Sequence, residues 1–169
     1  MKQIKGFIIC VSTSIFILIL MPFALIFLKS ETAFYFYIFF AVISFVFMLA
    51  FGIKNIVKSR QLFKQNNIKD LNKMWVGMKL LNVPVFILNF FVCLIIISVG
   101  FILFPLNIIV TVTNSVYVFM CVILSGVVGI TAIKAIKKEG GKIHPVFSVM
   151  QVIPFWDVIS TVITEYTMR

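Results

Sequence analysis

Four long apolar runs, separated by short polar or charged segments, dominate the pattern of residues along the chain. The runs cover about residues 6–28, 33–53, 80–104 and 106–133, and each is longer than the ~18 residues typical of a transmembrane candidate. The first run is too long for the apolar part of a signal peptide and lacks a small-residue cleavage site, which favours an uncleaved helix. The pattern predicts an all-α, integral membrane helical bundle with four transmembrane helices in a single membrane domain, residues 1–169.

Composition and charge support this prediction. Hydrophobic residues make up 62% of the 169 residues and charged residues 12%, whereas soluble domains have about 45–50% and 25%. The net charge is +10, and nearly all lysines and arginines lie between the apolar runs, which indicates membrane topology rather than nucleic-acid binding. By the positive-inside rule, the N-terminus and the segments 54–79 and 134–142 are cytoplasmic. We therefore expect a multi-pass cell-membrane protein whose basic loops meet anionic lipid headgroups.

The longest polar segment, residues 54–79, carries seven basic residues and a single acid, Asp70. Asn67 is a possible helix cap, and the apolar residues that follow it recur at helical spacing: Ile68, Leu71, Trp75 and Met78. This pattern predicts a basic amphipathic helix that lies on the membrane surface and leads into the third span. The alternative is a solvated loop.

Polar residues form one stripe on the third span and one on the fourth when the helices are plotted at 100° per residue. The stripes include Asn82 and Asn89 on the third span, and Asn114 and Ser125 on the fourth. A tight turn makes these two helices an antiparallel hairpin, so the stripes are expected to face each other. We favour a packing seam, in which each asparagine hydrogen bond contributes about 1 kcal/mol, over a polar pathway through the membrane.

The register of this hairpin follows from its assumed fold point. With the fold point near Pro105, Asn89 is expected to lie level with Cys121 and within about one turn of Ser125.

The tail, residues 145–167, combines an apolar stretch with an amphipathic one. Residues 145–163 are long enough to span a membrane. However, Asp157 alone costs about 3 kcal/mol, so the total free energy of inserting this stretch into the membrane is close to zero. After Pro154, the polar residues share one arc of a helix: Asp157, Ser160, Thr161, Thr164 and Glu165. We favour a C-terminal re-entrant or interfacial helix, with a fifth span as the alternative. Its acids predict docking on a basic surface.

Three short stretches carry a family resemblance. LLNVPVFILNF (80–90), LSGVVGITAIK (124–134) and MQVIPFWDVISTVI (150–163) resemble an uncharacterised family of small multi-span membrane proteins from Firmicutes-type Gram-positive bacteria. The resemblance covers about residues 78–165 and leaves the first two spans outside. It implies an apolar hairpin, a basic turn and a closing helical segment, with no established activity.

The few reactive residues argue against an enzyme. The chain has one histidine, five acids and three cysteines, without the spacing of a catalytic or metal site, so we expect no catalysis and no cofactor. We expect a non-catalytic protein that contacts a protein partner or a second copy, as an accessory subunit of a membrane complex or an immunity-type protein. The alternative is a subunit of a small oligomeric transporter or channel, with a polar path through Asp157, Asn89 and Asn114. The candidate polar or docking residues are Asp157, Thr161, Glu165, Asn82, Asn89, Asn114 and Ser125.

Overall fold

The computed structural model describes residues 4–16, 31–99, 106–141, 143–153 and 156–167. The regular elements in these ranges are α-helices, in the order α1 (Ile4–Phe16), α2 (Glu31–Lys64), α3 (Ile68–Val99), α4 (Leu106–Lys138), α5 (Val146–Met150) and α6 (Trp156–Thr167). The described residues contain no strand. The predicted all-α fold class is confirmed.

Three helices are long and apolar enough to cross a membrane within the part of the chain that the structure describes. The qualifying stretches are Ile38–Lys64 in α2, Ile68–Leu94 in α3 and Thr111–Lys138 in α4. Helix α1 is described over Ile4–Phe16, about 20 Å at the helical rise. The rest of the first predicted span, residues 17–28, lies outside the described residues.

The outer surface of the helices is apolar, as expected for contact with lipid. Large side chains are exposed along α2, among them Phe36, Phe39, Phe40 and Phe47. Exposed apolar patches of this extent are rare on soluble monomers and mark protein–protein or membrane contact. Together with the three long helices, this surface is that of a membrane protein.

The connection between α2 and α3 is short and is capped as predicted. Helix α2 continues to Lys64, and Asn66 adopts a positive φ of 52° in the turn. The Asp70 backbone N–H donates to Asn67 Oδ1 at 3.2 Å, and Asn67 Nδ2 donates to Asp70 Oδ2 at 2.9 Å. The predicted Asn67 cap therefore begins α3.

The structure differs from the predicted surface helix in segment 54–79. Residues 54–64 complete α2, and residues from Ile68 onward are the first turns of α3. The apolar stripe Leu71, Trp75 and Met78 is buried in the protein core. The spacing of these residues is the same for a helix on the membrane surface and for a helix packed in the bundle. In the structure, the apolar surface of the other helices covers the stripe.

The core lies along α3 and α4, which pack against each other most extensively, while α2 packs mainly on α4. Helices α2 and α4 approach closely, since a Cβ placed on Gly52 would lie 2.5 Å from Leu124 Cδ1. Tyr117 on α4 donates its hydroxyl hydrogen bond to the backbone oxygen of Ala41 on α2. These contacts fix α2 beside the α3–α4 hairpin.

The tail forms two short helices, with a turn at residues 151–153 between the end of α5 and the segment leading to α6. It is therefore not one continuous fifth helix, and α6 is about 18 Å long, shorter than the ~30 Å hydrocarbon core. Its polar residues Ser160, Thr161 and Thr164 are buried, and α6 contacts α3, α4 and α5.

The outward face of α6 is apolar. Trp156, Ile159, Val162 and Ile163 are exposed, so the helix turns its polar side to the protein and its apolar side to the surroundings. In water this orientation would be unfavourable, because each large apolar side chain gains about 1.5–3 kcal/mol on burial. Contact with lipid on the outward side would remove that cost.

Candidate functional site

Lys79 on α3 has a buried ammonium group. The side chain is 0% exposed, and its Nζ donates to Ser125 Oγ at 3.3 Å and to the backbone oxygen of Gln151 at 3.1 Å. Burying an ion costs several kcal/mol unless protein groups replace its water. By sequence, Lys79 is one of the basic residues of the cytoplasmic segment 54–79, whereas the structure places it inside the protein.

Gln151 connects the tail to the rest of this site. Its side chain is 0% exposed. Its Oε1 accepts a hydrogen bond from Trp75 Nε1 at 3.1 Å, and its Nε2 donates to Ser160 Oγ at 2.7 Å. One residue in the turn after α5 therefore joins α3 to α6 through its side chain, while its backbone oxygen accepts from Lys79.

Two glycines on α4 make room for this turn. A Cβ on Gly126 would lie 2.6 Å from the backbone oxygen of Gln151. A Cβ on Gly129 would lie 2.4 Å from Gln151 Oε1 and 2.8 Å from Trp75 Nε1. In the structure, both glycines admit the tail.

Asn82 and Ser125 meet across the α3–α4 seam, as the facing stripes predicted. Asn82 Nδ2 donates to Ser125 Oγ at 3.1 Å, and Cys121 Sγ donates to Asn82 Oδ1 at 3.2 Å. We refer to the connected set as the polar cluster; it consists of Trp75, Lys79, Asn82, Cys121, Ser125, Gln151 and Ser160.

Helical spacing could have found part of this cluster. Trp75, Lys79, Asn82 and Asn89 follow one another at intervals of three, four or seven residues, so all four lie on one face of α3. By sequence alone the stripe begins at Asn82, because Lys79 is the last residue of the basic segment 54–79. No local signal marks Gln151 as the residue that covers Lys79.

Asn89 and Asn114 form a second polar contact on the same seam. Asn114 Nδ2 donates to Asn89 Oδ1. The predicted register, with Asn89 level with Cys121, is wrong, because Cys121 contacts Asn82 instead. Interhelical hydrogen bonds, from Cys121 to Asn82 and from Asn114 to Asn89, fix the register of α3 against α4.

An apolar layer separates the two polar groups on the seam. The rise from Asn82 to Asn89 is about 10 Å, and Val85, Phe86 and Val118 are buried around this level. Side chains that are about 10 Å apart do not form a hydrogen-bonded chain. The geometry therefore favours the packing interpretation of the stripes.

The remaining candidate residues lie on α6. Thr161 is buried, with Ser160 and Thr164, on the side of the helix that packs against the bundle. Asp157 and Glu165 belong to α6 by their backbone, but their side chains lie outside the described residues. Docking of these acids on a basic surface stays a prediction.

A groove lies along the seam between α3 and α4. Its volume is about 610 Å³, and it is lined by Phe86, Asn89, Phe90, Cys93, Thr111, Val112, Ser115, Val116, Val118 and Phe119. Most of the wall is apolar, while Asn89, Cys93 and Thr111 are partly exposed and Ser115 is exposed. We call it the seam groove.

A family model for a family of unknown function, DUF6652, matches residues 2–168. The chain belongs to this family. The match extends over the first helices as well, beyond the residues 78–165 that the sequence resemblance covered. No curated protein and no solved structure matches the chain.

The asparagine contact of this DUF6652 member has a measurable energy. In a double-mutant cycle with Asn89→Leu and Asn114→Leu, we expect a coupling free energy of unfolding of about 0.6 kcal/mol, the average for hydrogen bonds between membrane helices. A matched cycle with Asn89→Leu and Cys121→Ala should give no coupling. Coupling in the second cycle and none in the first would contradict the observed register.

Proposed function

We propose that this protein is a non-catalytic integral membrane protein that acts through protein contacts, as an accessory subunit of a membrane complex or as an immunity-type protein. The observation that carries the proposal is the seam groove with its exposed and half-exposed polar groups. In this proposal the occupant of the groove is a transmembrane helix of a partner protein.

The chemistry of the groove favours a helix over lipid. Lipid tails offer no hydrogen bonds, whereas association of membrane helices depends on close packing and on polar side chains that bond between them. Ser115 and Thr111 are hydroxyl residues at the groove, which is also lined by Phe86, Phe90 and Phe119. A partner helix with small or hydroxyl residues would pack between the rings and bond with these hydroxyls.

The polar cluster has a supporting role in this proposal. Gln151 and Lys79 hold α5 and α6 on the side of α3 and α4 where the glycines Gly126 and Gly129 lie. Buried polar networks that are satisfied by several partners fix one arrangement of the surrounding elements. A rigid α3–α4 pair presents the seam groove in one shape.

Photo-crosslinking in native membranes tests the proposal. A benzophenone amino acid at position 115 is expected to crosslink to a membrane helix of another protein, which mass spectrometry identifies. The same probe at position 47 is the control, because Phe47 is exposed on α2 away from the groove. We expect the protein adduct from position 115 alone.

A second variant pair tests whether the groove itself binds the partner. Ser115→Trp should reduce recovery of the partner in mild detergent at least tenfold, equivalent to about 1.4 kcal/mol, since the indole fills the groove. Val46→Trp adds the same group to the exposed surface of α2 and should leave recovery unchanged.

Recovery of the chain alone from native membranes, or adducts with lipid only, would overturn the proposal. Crosslinked adducts with a second copy of the chain would mean that the partner in the groove is this protein itself, in a homo-oligomer.

Transport is a second candidate function, because two polar groups lie on one seam and one of them contains a buried ammonium. Ionisable groups at membrane depth often belong to ion or substrate pathways. The proposed path would use Asp157, Asn89 and Asn114, and would require Val85 and Phe86 to move aside. Flux of ions into liposomes that is lost in Asn89→Leu, with folding unchanged, would support this candidate; absence of flux from the reconstituted protein would count against it.

A further inference from the structure

A second cavity lies between α1, α2 and the first turns of α3. Its volume is about 610 Å³, and it is lined by Ile4, Lys5, Asn55, Lys58, Leu62, Asp70, Lys73, Met74, Gly77 and Leu81. By helical spacing, Lys73 and Gly77 lie on the side of α3 opposite to Trp75 and Lys79. The cavity is therefore separate from the polar cluster, and we call it the basic cavity.

The charge of the basic cavity suits an anion. Lys5, Lys58 and Lys73 are exposed, one on each of the three helices. Their long, flexible side chains can converge on a group that enters between the helices. Among the described residues of the lining, Asp70 is the one acid, and its Oδ2 accepts a hydrogen bond from Asn67 Nδ2 at 2.9 Å. Three ammonium groups and one carboxylate give the cavity a net positive charge.

Asn55 provides the second, independent sign of a ligand. The residue is fully buried and lines the cavity, yet neither its Nδ2 nor its Oδ1 has a hydrogen-bond partner within the described residues. Buried polar atoms of native proteins nearly always have partners. A ligand that offers both an acceptor for Nδ2 and a hydroxyl donor for Oδ1 would satisfy this amide.

The lining also has room and an apolar side. A Cβ on Gly77 would meet nothing within 4 Å, so the α3 wall is open at that point. Ile4, Leu62 and Leu81 contribute apolar surface next to the lysines. An amphiphile with a charged head and a hydrocarbon chain matches this combination better than a fully hydrated ion does.

We propose that the basic cavity binds the headgroup of an anionic phospholipid, with its phosphate at Lys5, Lys58 and Lys73 and its glycerol hydroxyls at Asn55. Basic pockets between membrane helices are a known mode of lipid headgroup recognition. The phosphoglycerol group is the shared chemistry, whether it belongs to a lipid or to a free phosphoester. The site is independent of the seam groove.

Lipid binding to the full chain tests the proposal. The purified protein in detergent is titrated with phosphatidylglycerol or phosphatidylcholine, and native mass spectrometry measures the bound lipid. We expect phosphatidylglycerol to bind at least tenfold more tightly than phosphatidylcholine. The double variant Lys58→Gln and Lys73→Gln should lose at least tenfold in this affinity, because two of the three cations are gone.

A matched control separates the cavity from general surface charge. Lys134→Gln with Lys137→Gln removes the same charge from exposed positions on α4, outside the basic cavity, and should change the affinity less than twofold. Gly77→Leu keeps every charge and fills the open point of the wall, so it should also weaken phosphatidylglycerol at least tenfold. This variant decides the matter if the lysine variant fails to fold.

Competition distinguishes the two sources of the headgroup chemistry. Glycerol 3-phosphate and inorganic phosphate are added separately to the lipid-bound protein. We expect neither to displace phosphatidylglycerol at equal concentration, because the acyl chain adds apolar contact at Leu62 and Leu81. Displacement by glycerol 3-phosphate would assign the site to a free phosphoester and would contradict the proposal that its ligand is a lipid. The cavity would be ruled out as the binding site if the lysine variants in the cavity and on α4 lost affinity for phosphatidylglycerol equally and Gly77→Leu bound it unchanged.

Discussion

Replacement of Gly126 by alanine should detach the turn between α5 and α6 from α4. The added methyl group would lie 2.6 Å from the backbone oxygen of Gln151, and a backbone atom cannot rotate away as a side-chain end can. Overpacking of this kind costs about 1–3 kcal/mol. We expect the free energy of unfolding to fall by about this amount, and hydrogen exchange in α6 to become faster.

The control for this prediction is Gly77→Ala. Position 77 is also a helical glycine, but its added methyl group would meet nothing within 4 Å. The variant should therefore show only the gain in helix propensity, up to about 1 kcal/mol. If both variants were equally stable, the close approach between α4 and the tail would be disproved.

Gln151→Leu should cause a loss of similar or greater size. The leucine is close to glutamine in volume but offers no acceptor to Trp75 Nε1 and no donor to Ser160 Oγ, which Gln151 contacts at 3.1 and 2.7 Å. Loss of a partner for a buried polar group costs about 1–3 kcal/mol. We expect the free energy of unfolding to fall by about 2–4 kcal/mol.

Tryptophan fluorescence provides a direct measurement of this change. In a Trp156→Phe background, Trp75 is the one remaining tryptophan of the chain, and its ring is fully buried. Gln151→Leu should shift its emission as the indole loses its hydrogen-bond acceptor. Gln61→Leu makes the same exchange at an exposed position on α2; a similar shift or loss of stability there would contradict the assigned role of Gln151.

The polar cluster explains why a lysine is tolerated inside the bundle. Lys79 Nζ donates hydrogen bonds to an oxygen of α4 and to an oxygen of the turn after α5. These protein groups replace part of the water that its ammonium loses. Such a group ties the position of the tail to the α3–α4 pair. The tail and the hairpin are expected to lose their packing together when one member of the cluster is removed.

The helices themselves follow from the sequence, because their determinants are local. The length and spacing of apolar residues predicted the helices that became α2, α3 and α4, although α2 and α3 extend into the segment assigned to the membrane surface. The cap at Asn67 depends on residues three positions apart. The seam contact between Asn82 and Ser125 was also accessible, since helical spacing places each residue on a stripe.

The burial of Lys79 and the orientation of α6 were decided by the tertiary structure. Lys79 forms hydrogen bonds with residues 46 and 72 positions away. The local sequence around Lys79 contains no information about such distant neighbours. The register of Asn89 against Asn114 likewise depends on how two long helices slide until their polar atoms meet. A charge or a polar face is stable inside a protein only if distant groups cover it, and that cover exists only after the chain has folded.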